Sequence, residues 1–239
     1  MALHHSPKIV TDGLIFHHDY ANIRCYPGSG TAVTDLSNNG YATATMENNA
    51  SFLSSTNLGC MDFTESTHDS IKFHDDFGDE LNGSNNWTLI EWLNPDAFAP
   101  STGSTNAPIT FNLYGSGRRL FFTMGDGGAV DKIHMRGQID STWQSPVSSA
   151  TLSLNNWFHI VFTYNASTGF KAYTNGVLGD TSSVTGTPNT VTSSNNRVGS
   201  GFPSRLYNGK IAVASLYNKE LSASEVLQNY NVSRGRFGL

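Results

Sequence analysis

The chain has 239 residues, a length that one all-β sandwich domain commonly reaches. Only 14% of its residues are charged while 11% are aromatic, and this composition favours a folded, β-rich chain over a disordered one. The net charge is −5 and the 14 Lys and Arg residues form no basic stripe, which argues against nucleic-acid binding.

The sequence shows neither a targeting segment nor a cysteine framework. Residues 1–10 lack the apolar core of a signal peptide, and no run approaches the roughly 20 apolar residues of a membrane span. We therefore expect a soluble product that does not insert into a membrane. Cys25 and Cys60 are interpreted as two small buried hydrophobic residues, with a disulfide between them as the alternative.

The predicted strands begin near the N-terminus. Leu14–His18 is the first, and Tyr26–Gly40 follows as a long loop with two clusters of turn residues. Trp87–Leu93 is nearly continuous apolar sequence that ends at Pro95, a pattern typical of a central strand. Between this loop and this strand, two more short strands are predicted at Met61–Phe63 and Ser70–Phe73.

The middle of the chain is predicted to form hairpins. Pro108–Tyr114 and Arg119–Met124 are joined by a glycine-bearing loop, and Lys132–Gln138 is the next strand. Asn156–Tyr164 carries apolar residues on both faces, so it should lie in the middle of a sheet. Asn175–Gly176 between two β runs favours a type I′ turn, because both central residues need positive φ.

The chain closes with a strand and a helix. Lys210–Tyr217 is the last predicted strand. Ser222 and Glu225 fit the N-cap and N3 positions of a capping box, which predicts a helix of about two turns. The apolar face of this helix would consist of Val226, Leu227 and Tyr230.

Many short strands and one late helix predict an all-β, two-sheet antiparallel jelly-roll sandwich with a short C-terminal helix. We divide the chain into an N-terminal arm at 1–12, the jelly roll at 13–232 and a C-terminal tail at 233–239.

A family resemblance covers nearly the whole chain and rests on stretches that follow one another in order. They are Ile9–Phe16 with Asp19–Asn22, Tyr26–Thr31, Asp35–Gly40, Trp87–Pro95, Trp157–Val161, Tyr173–Gly176, Asn208–Ala212, Leu216–Ser222 and Glu225–Asn231. Together they resemble the concanavalin A-like, laminin-G-like jelly-roll domains, especially those encoded by tailed bacteriophages. The ending Gly235–Leu239 is similar to that of phage-encoded members.

The resemblance implies a non-enzymatic structural protein at the surface of a phage particle, either a capsid decoration or a short fibre or tail component. Its expected partners are other virion proteins and further copies of itself in a homo-oligomer. The alternative is a carbohydrate-binding module that attaches to host surface glycans.

A catalytic role is not expected, because the sequence lacks the carboxylate pair that glucanases of this fold place on one strand. Alternation along a strand would aim both carboxylates into a cleft, one protonated and one ionised. In the matching strand Glu91 is followed at the next two same-face positions by Leu93 and Pro95. We therefore predict no catalytic residues and interpret Glu91 as a lone strand carboxylate, hydrogen-bonded or at the sheet rim.

Sugar binding usually needs an exposed aromatic ring framed by amide and carboxylate groups. Trp143 lies in a loop-like stretch and is the best candidate, with Tyr114 and Tyr207 next. The alternative for each of them is packing or interface surface.

No cofactor is assigned, but calcium is considered because many lectin and laminin-G relatives bind it. Calcium prefers several hard oxygen ligands, and Asp35, Asn38, Asp62 and Asp69 offer them. In the alternative interpretation, Asp35 and Asn38 make Asx-turn bonds within their own loop.

Overall fold

The computed structural model describes residues 8–37, 39–40, 43–64, 68–73, 81, 84–98, 109–113, 120–125, 129–189, 196–199 and 205–239. Within these ranges the chain forms strands throughout and ends in an α-helix, α1 (Ala223–Ser233), and a 3₁₀ helix (Arg234–Phe237). The strands are β1 (Leu14–Asp19), β2 (Ala32–Val33), β3 (Ala44–Glu47), β4 (Ser51–Leu53), β5 (Cys60–Phe63), β6 (Ser70–Lys72), β7 (Asn86–Pro95), β8 (Ile109–Leu113), β9 (Leu120–Met124), β10 (Ile133–Ile139), β11 (Thr142–Gln144), β12 (Phe158–Asn165), β13 (Gly169–Thr174), β14 (Val177–Ser182), β15 (Arg197–Gly199) and β16 (Gly209–Tyr217).

These strands build two antiparallel sheets, which confirms the predicted jelly-roll sandwich. The first sheet has the order β14-β13-β12-β7-β16-β5-β4, and β1 also pairs with β16. The second sheet has the order β11-β10-β9-β8-β15-β6-β3-β2. Strand β7 lies between β12 and β16, so the apolar run beginning at Trp87 is the central strand that the sequence predicts.

The main core lies between the two sheets. In β12, Ile160, Phe162 and Tyr164 are buried in it, while His159 and Val161 are buried on the outer face. This division confirms the predicted two-sided burial of the strand. The outer face of the first sheet is buried because α1 and the terminal 3₁₀ helix pack on it.

Strand β16 does not alternate regularly between the two faces of its sheet. A β-bulge between Ile211 and Val213 shifts the register against β7, because two residues of one strand then oppose one of the other. As a result Ile211, Ala214 and Leu216 face the main core, whereas Val213 faces outward. Simple period-two counting along the strand therefore assigns its second half to the wrong face.

The C-terminal helix is capped as predicted but is longer, at 11 residues. The Ser222 side chain accepts from the Glu225 backbone amide, and the Glu225 side chain accepts from the Ser222 amide. Its buried residues are Val226 and Asn229, whereas Leu227 is 45% exposed, so the predicted apolar face is wrong at Leu227.

Val10 and the C-terminal segment both dock on this outer face. The Val10 amide donates to Asn229 Oδ1 at 2.8 Å and the Tyr217 hydroxyl donates to the Val10 carbonyl at 2.9 Å. At the other end Phe237 is buried and Arg236 donates to Asp19. The C-terminal tail is therefore folded onto the domain.

Two further findings concern the cysteines and the helices. Cys25 and Cys60 are both free and buried, as the first interpretation proposes. No helix in the described part of the chain has the length and apolar character needed to cross a membrane.

The predicted Asn175–Gly176 turn connects β13 to β14, and both residues have positive φ, 52° and 78°. Gly176→Ala is expected to lower the free energy of unfolding by about 1–2 kcal/mol, because an L residue is disfavoured in the left-handed region. Its Cβ would also lie 3.1 Å from Leu227 and Tyr230 on α1. Urea denaturation measures the loss. In the matched control Gly179→Ala the nearest atom is 3.9 Å away, so no comparable loss is expected. Equal losses in both variants would contradict this account of the turn.

Candidate functional site

The outer face of the second sheet carries an aromatic cluster at its β11 edge. Trp143 lies in strand β11 and not in the loop that the sequence indicates. Trp143 pairs with Gln138 of β10. Arg136, also in β10, pairs with Phe121 of β9 on the other side. Residues that pair directly across neighbouring strands have their side chains on the same face of the sheet. Met135 next to Arg136 and Phe122 next to Phe121 point into the core. All four side chains therefore project outward.

Trp143 is half-buried and held by two neighbours. The Phe121 ring stacks on it with centroids 5.7 Å apart and an interplanar angle of 23°. The Arg136 guanidinium carbon lies 5.1 Å from the centroid of the indole ring, within the range of a cation–π contact. These contacts fix the orientation of the indole while part of it remains in contact with solvent.

Amide and carboxylate groups lie beside the tryptophan. Gln138 Oε1 accepts from Asn189 Nδ2 at 3.1 Å, and Asn189 Oδ1 accepts from the Ser141 backbone amide at 2.9 Å. Asp140 accepts from the Thr187 amide at 3.0 Å. A positioned aromatic ring next to oriented amides can stack on the apolar face of a sugar and hydrogen-bond its hydroxyls. Sequence reasoning found Trp143 but missed Gln138 and Asn189, whose pairing depends on the fold.

The other two aromatic candidates do not join this cluster. Tyr207 is fully buried in the main core, so the prediction of an exposed platform there is wrong. Burial raises the pKa of its hydroxyl well above the usual value. Tyr114 lies outside the described residues.

The structure does not assemble the three predicted calcium ligands that it describes, Asp35, Asp62 and Asp69, into one site. Asp35 accepts from the backbone amides of His17 and Ser37, as in the alternative Asx-turn interpretation. Asp69 is fully buried and accepts from the amides of Asn49 and Thr64.

Asp62, the remaining predicted calcium ligand that the structure describes, lies in β5 opposite Lys210. Asn38 lies outside the described residues. Within the described ranges, no group of three or more His, Cys, Asp or Glu side chains could hold a metal ion. The carboxylates of Asp35 and Asp69 therefore accept hydrogen bonds from the backbone of nearby turns and strands.

Glu91 is a buried core residue and does not lie at the sheet rim. It faces inward from β7 and is fully buried. Its Oε2 accepts from the Thr110 hydroxyl at 2.6 Å, so the hydrogen-bonded alternative is confirmed. Burial raises the pKa of the carboxyl group to about 8, although the Thr110 hydrogen bond opposes the shift. Glu91 is thus a protonated core residue at neutral pH.

A cavity of about 70 Å³ lies on the outer face of the first sheet, partly under α1. His17 and His159 line it, and His17 Nδ1 lies 2.8 Å from Ser215 Oγ. Burial lowers the pKa of His17 and lowers that of His159 to about 3, so both rings are neutral at pH 7. Because α1 and the terminal 3₁₀ helix cover much of this face, the half-buried Trp143 cluster at the β11 edge of the second sheet is the better candidate for a large ligand.

Comparisons with known proteins agree with this fold. Residues 65–227 match the Laminin_G_3 family model, described as the concanavalin A-like lectin/glucanases superfamily. No curated protein sequence matches the chain. One similar structure is domain 4 of AbnA, a GH43 extracellular arabinanase from Geobacillus stearothermophilus, in complex with arabinotriose. It has 15% identity and a TM-score of 0.67, and the match covers 92% of this chain and 98% of that one.

Binding domains of botulinum neurotoxins are also similar. The domain of neurotoxin DC in complex with rat synaptotagmin II has 14% identity and a TM-score of 0.65, with 93% of this chain and 52% of that one covered. A structure of botulinum neurotoxin type C, a toxin whose cell entry depends on interaction with two ganglioside molecules, has 15% identity and a TM-score of 0.63. The match covers 93% of this chain and 51% of that one. The chain thus spans about half of these toxin chains, and such low identities establish the fold alone. Because the family model covers well over half of the sequence, the chain belongs to the Laminin_G_3 family of the concanavalin A-like lectin/glucanases superfamily.

Proposed function

We propose that the chain is a non-enzymatic carbohydrate-binding domain whose ligand lies on the outer face of the second sheet at Trp143. The observation that carries the proposal is the half-buried indole, stacked on Phe121 and flanked by the Gln138–Asn189 amide pair. An aromatic ring already held in position loses little side-chain freedom when a sugar stacks on it. The amides then supply directional hydrogen bonds that select among sugars.

The arrangement of the sandwich supports this choice of face. The outer face of the first sheet is occupied by Phe237, Tyr230 and Val226 of the C-terminal segment. Among the described residues, no helix lies over the outer face of the second sheet. We therefore place the ligand at the β11 edge of the second sheet, where the Trp143 indole is only half-buried.

The similar proteins support the ligand class. The arabinanase domain has arabinotriose bound, and entry of neurotoxin type C into cells depends on gangliosides. Both ligands contain sugars, and we transfer only that chemical class to this chain.

Trp143→Ala is expected to weaken binding to the best glycan by roughly 30-fold or more, the loss typical of a central aromatic contact. A glycan array would first identify the ligand, and isothermal titration would then measure the loss of affinity. Gln138→Ala keeps the indole and removes an amide, so it should give a smaller loss. Since it leaves the Phe121–Trp143 stack in place, it remains informative if Trp143→Ala folds poorly.

Leu178→Ala is the matched control, because it truncates an exposed apolar side chain on β14 of the other sheet. It should leave affinity unchanged. Glycan binding that is equal in the wild type and Trp143→Ala would contradict the proposed site, and no binding to any glycan would contradict the function.

The non-enzymatic part of the proposal is supported by Glu91, whose carboxyl group is enclosed in the core. A glycoside hydrolase would need two carboxyl groups about 5–9.5 Å apart around an accessible bond. A depolymerase activity that Glu91→Gln abolished would show this part to be wrong.

We further propose, from the sequence resemblance, that the domain acts at the surface of a tailed-phage particle, bound to other virion proteins and to copies of itself. The similarity of Gly235–Leu239 to the ends of phage-encoded members supports this. Mass spectrometry of purified particles tests it. Absence of the chain from the particle would contradict it.

A further inference from the structure

The C-terminal segment, residues 223–237, is held on the outer face of the first sheet by contacts that are separate from the main core. Trp92 stacks on Phe237 with ring centroids 4.1 Å apart and on Tyr230 at 5.8 Å. Trp92 and Val226 belong to two apolar clusters that share no residue with the core between the sheets. Because these contacts are distinct, the segment can open locally while the sandwich stays folded.

His159 of β12 lies within this contact. It is 1% exposed, and its ring centroid lies 5.0 Å from that of Trp92 and 5.8 Å from that of Tyr230. Its Nδ1 has no hydrogen-bond partner in the described part of the chain. His159 also lines the cavity of about 70 Å³, so the segment packs incompletely at this point. An imidazole enclosed in this way is stable as the neutral ring and unstable as a cation.

Within the described ranges, a proton on the docked His159 would have no carboxylate beside it. Across the outer face of the sheet, the register places Trp92, Val213 and Asp19 beyond His159 in turn. Asp19 is therefore roughly 14 Å away, at about 4.8 Å for each strand spacing. Its carboxylate already accepts from Arg236 at 2.7 Å.

Among the described residues, the other titratable or charged groups that face His159 bring no negative charge to it. They are His17 and Tyr217 around the cavity, Tyr230 against the ring, and Arg234, whose guanidinium carbon lies 5.8 Å from the Tyr230 centroid. The acidic residues before and within α1, Glu220 and Glu225, pair with Lys171 and Lys219 near the start of the helix. Protonation of His159 and docking of the segment therefore oppose each other.

We propose that the C-terminal segment is an acid-released strap, which leaves the outer face of the first sheet when His159 takes up a proton. Release exposes Trp92, Trp157 and Cys60, which share an apolar cluster with Phe237. In the docked state burial lowers the pKa of His159 to about 3, whereas a ring in contact with water titrates near 6.5. Below pH 6.5 the open state therefore holds a proton that the docked state lacks, so acid favours opening.

Hydrogen exchange of the full chain at about pH 7.5 and about pH 4.5 tests the proposal, with each amide referred to an unstructured peptide at the same pH. Protection of the amides of residues 223–237 should fall roughly 30- to 100-fold at the lower pH, the factor that follows from the two pKa values. The Cys60 thiol should become reactive towards a dipyridyl disulfide over the same pH range. Cys25 in the main core should stay unreactive.

His159→Phe keeps a ring against Trp92 but cannot take up a proton, so protection of the segment should fall at least about tenfold less than in the wild type. His159→Gln serves the same purpose if the larger ring prevents folding. His68→Asn is the matched control, because it removes an exposed imidazole, and it should keep the wild-type response. Protection of the segment that is equal at both pH values in the wild type would overturn the inference. An equal fall in the wild type and the His159 variants would also overturn it.

Discussion

Glu91→Gln is expected to raise the free energy of unfolding by several kcal/mol at pH 9 while leaving it almost unchanged at pH 4. Burial raises the pKa of Glu91 from 4.5 to about 8 in the folded protein. Between these values the folded state holds a proton that the unfolded state has released. The contribution of Glu91 to the free energy of unfolding is therefore fully present below pH 4.5. It is lost as the pH rises towards 8, at about 1.4 kcal/mol per pH unit.

Glutamine has nearly the shape of the protonated side chain and does not ionise, so the variant should lack this loss. Over the whole window the difference between the two proteins would reach on the order of 4 kcal/mol. Urea denaturation at intervals from pH 4 to 9 measures it. Glu220→Gln removes a carboxylate that pairs with Lys171 at the surface, and as control it should change stability by less than about 1 kcal/mol. Parallel pH profiles for the wild type and Glu91→Gln would contradict the account.

Buried histidines make the free energy of unfolding fall at acid pH, both in the wild type and in Glu91→Gln. Burial lowers the pKa of His159 to about 3 and lowers those of His17 and His18 below 6.5. The unfolded state therefore takes up protons first, and stability falls as pH drops below 6.5. The wild type should be most stable near neutral or slightly acidic pH, and Glu91→Gln should lose only the decline on the alkaline side.

Trp92→Ala is expected to lower the free energy of unfolding by about 3–5 kcal/mol, the range for removing a large buried aromatic side chain. Trp92 is 1% exposed and lies on the outer face of the first sheet. Its ring stacks on Phe237 at 4.1 Å and on Tyr230 at 5.8 Å between centroids. Its removal would take away the surface on which α1 and the terminal 3₁₀ helix pack.

Hydrogen exchange gives this prediction its specific signature. Amides of residues 223–237 should lose protection more than those of β12, because the C-terminal segment loses its main contact. Leu239→Ala is the control, since its side chain is 44% exposed in the same segment, and its effect should stay within about 0.5 kcal/mol. A uniform loss of protection over the whole sandwich would contradict a separate role for this contact.

Local sequence signals predicted much of the fold. The Asn175–Gly176 turn and the Ser222–Glu225 capping box depend on neighbouring residues only, and both are confirmed. The short strands β2, β3 and β4 were missed, because two to four residues carry too little periodicity. The bulge at Ile211 was missed for a related reason, since alternation counts cannot detect an inserted residue.

The candidate site was only partly predictable. Trp143 could be named from its polar surroundings in the sequence, but its strand position and its contact with Phe121 arise from pairing across the sheet. Tyr207 carried the same local signal and is fully buried, because exposure depends on which elements pack nearby.

The proposed function requires a glycan to bind to the outer face of the second sheet. Amide chemical-shift mapping of the full chain, titrated with the best glycan from the array, tests it most directly. A glycan bound at this site should give the largest shifts on β9, β10 and β11, with Trp143 Nε1 among them, and none on α1. Shifts concentrated on α1 and the cavity around His159, with β9 to β11 unchanged, would contradict it.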